Sequence, residues 1–95
     1  MDTDQELFDF LVSYFDADCL MSWECLMSAE SILKTVPVLW SDRGLQMAEE
    51  LLASTGRAET WQRHIDLLKL CYEYRNPDRA VSEMGWRMRT GYYQK

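Results

Sequence analysis

Turn-forming residues are scarce in this chain, since its 95 residues include only four glycines and two prolines. A sandwich or barrel of many short strands needs a turn after each strand, so this scarcity disfavours both architectures. It favours a few longer elements instead. Because a chain of this length can bury one core but not two, we predict a single domain over residues 1–95.

Apolar residues recur at spacings of three and four, which is the period of an amphipathic helix. The clearest segment runs from about residue 58 to residue 75, where Trp61, Ile65, Leu68 and Tyr72 follow one another at steps of four, three and four. Further apolar residues widen that face: Leu67, Leu70, Cys71 and Tyr74. The pattern predicts a central helix that is buried on more than one side.

Residues that end or start helices divide the chain into five or six helices. Pro37 marks the clearest connector of the front half, and Asn76 before a proline is typical of a helix end followed at once by a new start. Whether Ser28 begins a short helix of its own, or residues 19–35 form one continuous helix, stays open. We predict an all-α fold, a compact bundle of antiparallel helices, in which residues 89–95 are a frayed tail.

The chain carries no targeting signal that we recognise. Its first nine residues include four carboxylates and no lysine or arginine, unlike a secretory or transit peptide, and no run of about 18 apolar residues follows. The odd set of Cys19, Cys25 and Cys71 lacks the spacing of a disulfide framework, which is typical of reduced thiols. We predict a soluble, cytoplasmic protein with no membrane partner.

Candidate residues for catalysis and metal binding are poorly spaced. His64 and Cys71 are seven residues apart, about 10 Å along a helix, too far for direct proton transfer. Cys19 and Cys25 are six apart, which does not fit a structural zinc site. The four glycines stand singly, without a phosphate-binding loop around them. We predict no enzymatic activity, no cofactor and no metal.

Charge is unevenly distributed along the chain. Residues 1–50 hold 11 acidic and 2 basic residues, a net charge of −9, while residues 51–95 hold 5 acidic and 8 basic residues, a net charge of +3. The overall charge of −6 disfavours direct binding of nucleic acid, which needs a basic face. An acidic surface of this kind steers a basic partner, or it is a solvated helix face that keeps the protein soluble.

Apolar side chains suited to an interface are abundant, with six methionines and twelve aromatic residues. Trp40, in the connector, and Trp86, outside the apolar stripe of the last helix, are hardest to assign to a core. They are either interface anchors or lids over the ends of the bundle. Basic and aromatic residues cluster around Trp86, and the acidic character of the whole protein favours a protein partner or self-contact there.

Four segments carry a resemblance to a known family. LMSAESILKTVP (26–37), DRGLQMAEELLASTG (42–56), ETWQRHIDLLKLCYE (59–73) and NPDRAVSEM (76–84) resemble the third to sixth helices of caspase-recruitment domains, which belong to the death fold. TDQELFDFLVSYF (3–15) is similar to the opening helix of such domains in antiviral sensor proteins. Between Phe15 and Ser28 the chain departs from the family, which usually has a longer second helix.

The resemblance implies a non-enzymatic adaptor that assembles through homotypic contacts between an acidic and a basic face, and so a homo-oligomer. The candidate residues are acidic on one side, Asp9, Asp16, Asp18 and Glu24, and basic on the other, Arg57, Arg63, Arg75 and Arg79. Reversing Arg57 and Arg63 to glutamate is expected to abolish self-association.

An alternative comes from another class of proteins. A small acidic bundle also suits an inhibitor of the kind that phages deploy against host nucleases, anti-CRISPR-like in type, which covers a basic nucleic-acid channel. Target binding would then weaken when Asp9, Asp16, Asp18 and Glu24 become Asn or Gln. The net +3 of the second half favours the self-assembling module, whereas a chain that stands alone favours the inhibitor, because recruitment domains usually lie within longer proteins.

Overall fold

The computed structural model describes residues 3–16, 23–55 and 58–92. Within these ranges the chain forms five α-helices and one 3-10 helix: α1 (Thr3–Asp16), α2 (Trp23–Thr35), the 3-10 helix (Pro37–Trp40), α3 (Asp42–Thr55), α4 (Ala58–Tyr74) and α5 (Pro77–Arg89). None of the described residues is in a strand. The radius of gyration is 12.5 Å, close to the value of about 12 Å that is expected of a compact chain of this length. The all-α prediction is confirmed.

α4 is the central helix of the bundle. It packs against α3 on one side and α5 on the other, and it also contacts α1 and the 3-10 helix. Most residues of its predicted apolar face are buried, namely Trp61, Ile65, Leu67, Leu68, Leu70 and Cys71, whereas Tyr72 and Tyr74 are half-buried. Because each large apolar side chain contributes about 1.5–3 kcal/mol on burial, this helix supplies much of the core.

α2 runs through Ser28 without a break. A separate short helix beginning at Ser28 is therefore wrong, because nothing interrupts the backbone hydrogen bonds of α2 there. Of the continuous helix predicted over residues 19–35, the first four residues lie outside the described ranges. Leu26, Ala29 and Leu33 form the buried side of α2 at helical spacing.

The start of α3 is held tightly against the 3-10 helix. The Ser41 hydroxyl accepts a hydrogen bond from the Gly44 backbone N–H at 3.2 Å, which makes Ser41 the N-cap of α3. A methyl group at Gly44 would lie 2.4 Å from the backbone oxygen of Leu39. Only glycine lets the two backbones approach this closely.

The turn between α4 and α5 takes two residues. Arg75 ends α4 in the left-handed conformation, with φ of 55°. The Asn76 side chain then accepts hydrogen bonds from the backbone N–H groups of Asp78 (3.0 Å) and Arg79 (3.4 Å), with Pro77 at the first helical position. This predicted stop and restart is present in the structure.

Beyond α5 the described chain continues as a turn through Tyr92. The Tyr92 backbone N–H donates to the Arg87 carbonyl oxygen at 3.0 Å, and the Arg87 guanidinium lies 4.8 Å from the centre of the Tyr92 ring. Residues 93–95 lie outside the described ranges, so fraying of the last residues stays a prediction.

Candidate interaction site

A groove runs between α1 and α3, and we call it the α1–α3 groove. It encloses about 440 Å³ and is formed by side chains at helical spacing on both helices: Asp4, Gln5 and Phe8 from α1, and Met47, Glu50, Leu51 and Ser54 from α3. Phe8, Met47 and Leu51 form its apolar part, and Asp4 and Glu50 bring carboxylates to it. An apolar floor beside carboxylates suits a ligand that is both apolar and basic.

Phe8 is more exposed than its place in the apolar pattern of α1 indicates, although it lies on the same side of the helix as buried Phe15. The apolar stripe of the first helix predicts burial of Phe8 together with Leu7 and Leu11, which are 3% and 0% exposed, but Phe8 itself is 39% exposed. Phe10 and Val12 are also exposed. The apolar side of α1 is therefore wider than the surface that its neighbours cover, and polar residues such as Glu6, Asp9 and Ser13 occupy the remaining side.

Carboxylates around the groove outnumber the cations that could neutralise them. Asp4 forms an ion pair with Arg43 at 3.0 Å, and this hydrogen bond and charge hold the pKa of Asp4 below its usual value and raise the pKa of Arg43. Glu50, the second carboxylate of the groove, forms no ion pair within the described ranges, although the charge of Arg43 also acts on it. Two carboxylates beside one arginine leave the groove net acidic.

The outer side of α5 carries a second candidate surface, which we call the α5 stripe. Arg79, Ser82, Trp86 and Arg89 follow one another at steps of three, four and three, and all four side chains are exposed. The opposite side of α5 is buried through Ala80, Val81, Met84 and Gly85. Trp86 is 54% exposed, a large fraction for the residue type with the greatest apolar area.

The α5 stripe is basic as well as aromatic. It borders a shallow groove of about 560 Å³ that Tyr74 and Glu83 complete, and the Arg79 guanidinium lies 4.5 Å from the centre of the Tyr74 ring. Glu83 forms an ion pair with Arg87 at 3.3 Å. Among the described residues no carboxylate forms an ion pair with Arg79 or Arg89.

The structure brings some of the predicted site residues together and separates others. Arg79 and Trp86 share the α5 stripe, and Arg75 lies just before α5 with its guanidinium 4.3 Å from the centre of the Tyr72 ring. Arg63 is half-buried on α4, about 18 Å along the helix from Arg75 at 1.5 Å per residue. The predicted basic set therefore does not form a single patch.

The acidic set is described only in part. Asp9 is exposed on α1 and accepts a hydrogen bond from the Gln5 side chain at 3.0 Å. Asp16 is the last residue of α1 and Glu24 the second of α2, and only their backbones are described. Asp18 and Arg57 lie outside the described residues.

Trp40 is half-buried against the core. Its indole N–H donates a hydrogen bond to the Leu33 carbonyl oxygen at 3.1 Å, which ties the 3-10 helix to the end of α2. This geometry favours the lid interpretation of Trp40. Of the two tryptophans singled out in the sequence, Trp86 is the one that remains available as an interface anchor.

Within the described part of the chain, one ion pair neutralises surplus charge of both halves: Lys69 pairs with Glu49 at 3.1 Å and joins α4 to α3. Lys34 pairs with Glu30 at 3.0 Å and with Asp78 at 2.6 Å, which joins α2 to α5, but it pairs a cation of the acidic half with a carboxylate of the basic half. Most of the charge asymmetry predicted from the sequence therefore remains.

The sequence did not identify the α3 residues that form one wall of the groove. Met47, Glu50, Leu51 and Ser54 fall at helical spacing on α3, but the same spacing also describes an ordinary helix side that packs on a core. Nothing local distinguishes a groove wall from a buried stripe. The exposed position of Phe8 beside α3 is what identifies the groove.

His64 and Cys71 are fully buried on α4. Burial raises the pKa of the Cys71 thiol to about 12, which disfavours the thiolate that nucleophilic chemistry requires. The His64 ring lies edge-on to Tyr14 and Phe15, with ring centres 4.9 and 5.8 Å away. The described residues contain no group of three or more His, Cys, Asp or Glu residues arranged to hold a metal ion.

None of the helices in the described ranges has the length and apolarity that crossing a bilayer requires. Comparison of the chain with family models, curated proteins and solved structures finds no match. The likeness to caspase-recruitment domains therefore stays a prediction from the residues that carry it.

Proposed function

We propose that this protein is a non-enzymatic interaction module, adaptor-like in the manner of a caspase-recruitment domain, that docks the acidic N-terminal face of one copy against the basic C-terminal half of the next. One observation carries the proposal. Unneutralised carboxylates and unneutralised arginines lie on different helices, α1 and α3 against α5, and each group lies beside an exposed aromatic ring, Phe8 or Trp86.

Complementary charge and apolar area do different work in such a contact. Opposite charges speed encounter and fix the relative orientation of two surfaces, whereas a buried aromatic anchor supplies most of the binding energy. A surface that only kept the protein soluble would have no use for a half-exposed tryptophan among arginines. We place the protein in the cytoplasm, because its three cysteines lack the spacing of a disulfide framework.

Light scattering behind size exclusion tests the proposal, with a concentration series run in about 0.01 M and about 1 M salt. The Debye length falls from about 30 Å to about 3 Å between these conditions. We expect a mass that grows with protein concentration in low salt and returns to the monomer mass of 11.3 kDa in high salt. A monomer at every concentration and salt level would contradict self-assembly.

A second candidate is the small acidic inhibitor of a basic nucleic-acid-binding protein. The exposed Phe8, Phe10 and Val12 on α1, together with Glu6 and Asp9, favour it, since such a helix presents apolar and acidic groups together. In that role the protein is a monomer or plain dimer in both salts. Neutralising Asp9, Asp16, Asp18 and Glu24 then weakens capture of its target, whereas equal capture by the neutralised variant contradicts the electrostatic mechanism.

A further inference from the structure

We infer that the α5 stripe of one copy docks into the α1–α3 groove of a second copy, with Trp86 against Phe8, Met47 and Leu51. The inference rests on the proposed function and identifies which parts of the acidic and basic faces meet. It is drawn from the shape, the apolar surface and the charge of these two sites.

The shapes of the two surfaces are complementary. The α5 stripe lies on one side of a single helix and extends about 15 Å from Arg79 to Arg89 at 1.5 Å per residue. The α1–α3 groove lies between two helices, and its α3 wall extends about 10 Å from Met47 to Ser54. A helix side that lies in a groove between two other helices is a recurring mode of protein recognition.

The apolar surfaces are also matched. The groove encloses about 440 Å³ with Phe8, Met47 and Leu51 along it, and Trp86 is the most exposed apolar side chain of α5. Tryptophan is one of the residue types enriched at interface hot spots, which lie in well-packed pockets. Docking removes from water both the Trp86 indole and the exposed face of Phe8.

The charges around these apolar centres are of opposite sign. Arg79 lies seven residues before Trp86 and Arg89 lies three residues after it, so the indole has a guanidinium on each side along the helix. The groove has Glu50 on its α3 wall and Asp4 on its α1 wall, and Asp4 already pairs with Arg43. Glu50 accepts a hydrogen bond from the Gln46 side chain at 3.5 Å and interacts with the more distant charge of Arg43, but it forms no ion pair among the described residues. It is therefore the groove carboxylate that an arginine of the docked stripe would pair with.

A single copy does not make this contact with itself. α3 and α5 each pack against α4, and all four side chains of the α5 stripe are exposed. A copy that has bound a neighbour through its stripe keeps its groove available, and a copy that has bound through its groove keeps its stripe. A contact between two different surfaces can propagate head to tail, as a ring or an open chain.

Two double variants test the docking, each blocking one side. The groove variant carries Phe8→Ala and Glu50→Gln, and the stripe variant carries Trp86→Ala and Arg89→Gln. The matched control carries Phe10→Ala and Glu73→Gln, which removes one exposed phenylalanine and one exposed carboxylate outside the groove. Thermal unfolding by circular dichroism verifies that each variant is folded, since all substituted side chains are exposed.

We expect the wild type and the control to assemble equally in low-salt light scattering. Each blocked variant alone stays a monomer, with association weakened at least about tenfold, as expected for loss of a hot spot. An equimolar mixture of the two blocked variants gives a species of twice the 11.3 kDa monomer mass and nothing larger, because the mixture holds one intact groove for each intact stripe.

The outcomes separate this inference from the proposed function. If the wild type assembles and the stripe variant assembles equally well, the docking is wrong and self-assembly stands. If the control loses assembly as much as the groove variant, or the mixture stays monomeric, the groove is not the docking surface. A wild type that stays a monomer contradicts self-assembly itself, and a basic segment of another protein then becomes the occupant to test.

Discussion

Two ionisable side chains lie in the core, Tyr14 from α1 and Cys71 from α4. The Tyr14 hydroxyl donates a hydrogen bond to the His64 carbonyl oxygen at 2.8 Å, and its ring adjoins Phe15, which in turn stacks on Trp61 at 4.4 Å between ring centres. Burial raises the pKa of Tyr14 well above its ordinary value and the pKa of Cys71 to about 12. Both groups are neutral in the folded protein and ionise more readily once it unfolds.

Alkaline pH is therefore expected to destabilise the fold. A folded pKa above the unfolded value means that the contribution of Cys71 is complete below its ordinary value of 9.0 and is lost as the pH rises through the folded value. One such group lowers the free energy of unfolding by about 1.4 kcal/mol for each pH unit in that window. Urea unfolding between neutral pH and about pH 11 measures this fall in the free energy of unfolding.

The Cys71→Ala variant isolates this thiol from Tyr14 and the other titrating groups. The difference in free energy of unfolding between wild type and Cys71→Ala is expected to be constant below about pH 9 and to fall above it. A difference that does not change with pH would contradict a buried, protonated thiol.

The two best-defined junctions of the fold depend on backbone conformation. At the start of α3, Gly44 allows the helix to lie against the backbone oxygens of Val38 and Leu39. At the end of α4, Arg75 adopts a left-handed conformation that costs a residue with a Cβ about 1–2 kcal/mol. In both places the conformation is imposed by how neighbouring elements meet.

Gly44→Ala is expected to destabilise the protein by about 1–3 kcal/mol. Alanine favours a helix by about 1 kcal/mol over glycine, but its methyl group would lie 2.4 Å from a backbone oxygen that cannot rotate away. Chemical denaturation measures the change. Gln46→Ala, at an exposed position of the same helix, serves as the control and is expected to change stability by less than about 0.5 kcal/mol. A Gly44→Ala variant that is more stable than the wild type would contradict the close approach of the two backbones.

Arg75→Gly is expected to be more stable than Arg75→Ala by about 1 kcal/mol. Both variants lose the contact between the guanidinium and the Tyr72 ring, so the comparison isolates the cost of the left-handed conformation. Thermal and urea unfolding of the pair measure it. Equal stabilities would mean that residue 75 leaves this conformation when its side chain is shortened.

On the scale of the whole molecule, ion pairs connect helices that are distant in sequence. Arg43 with Asp4 joins α3 to α1, and Lys34 with Asp78 joins α2 to α5. Hydrogen bonds with Glu30 and Lys34 lower the pKa of Asp78, and the Arg43 guanidinium lowers the pKa of Asp4. Each contact is at the surface, so each contributes little alone and loses strength in salt.

Acid is expected to weaken these connections together. A carboxyl group whose folded pKa is lowered stabilises the fold fully above its ordinary value of 3.8, and this contribution is lost as the pH falls through the folded value. We expect the melting temperature to fall below about pH 4 and to fall less steeply in an Arg43→Gln and Lys34→Gln double variant. Identical slopes in the two proteins would exclude a role for these pairs.

Much of the fold could be predicted because its signals are local. The apolar spacing of α4 and the Asn76-Pro77 start of α5 depend only on residues within a turn or two, and the structure has both. Ser41 caps α3 through a bond to a residue three positions away. The site was harder to predict. Arg79, Trp86 and the basic and aromatic cluster around Trp86, which includes Arg89, were singled out in the sequence, but the α1–α3 groove was not.

The sequence by itself determined that the chain is helical, where its best-marked helices begin and end, and that its charge is uneven. Only the tertiary structure decided that Phe8 faces a groove, that Trp40 covers the end of α2, and that ion pairs leave the surplus charge beside α1, α3 and α5. Helical periodicity identifies the apolar residues of a helix but not which of them a neighbour covers. Burial is set by contacts between segments far apart in the chain, and no local pattern records them.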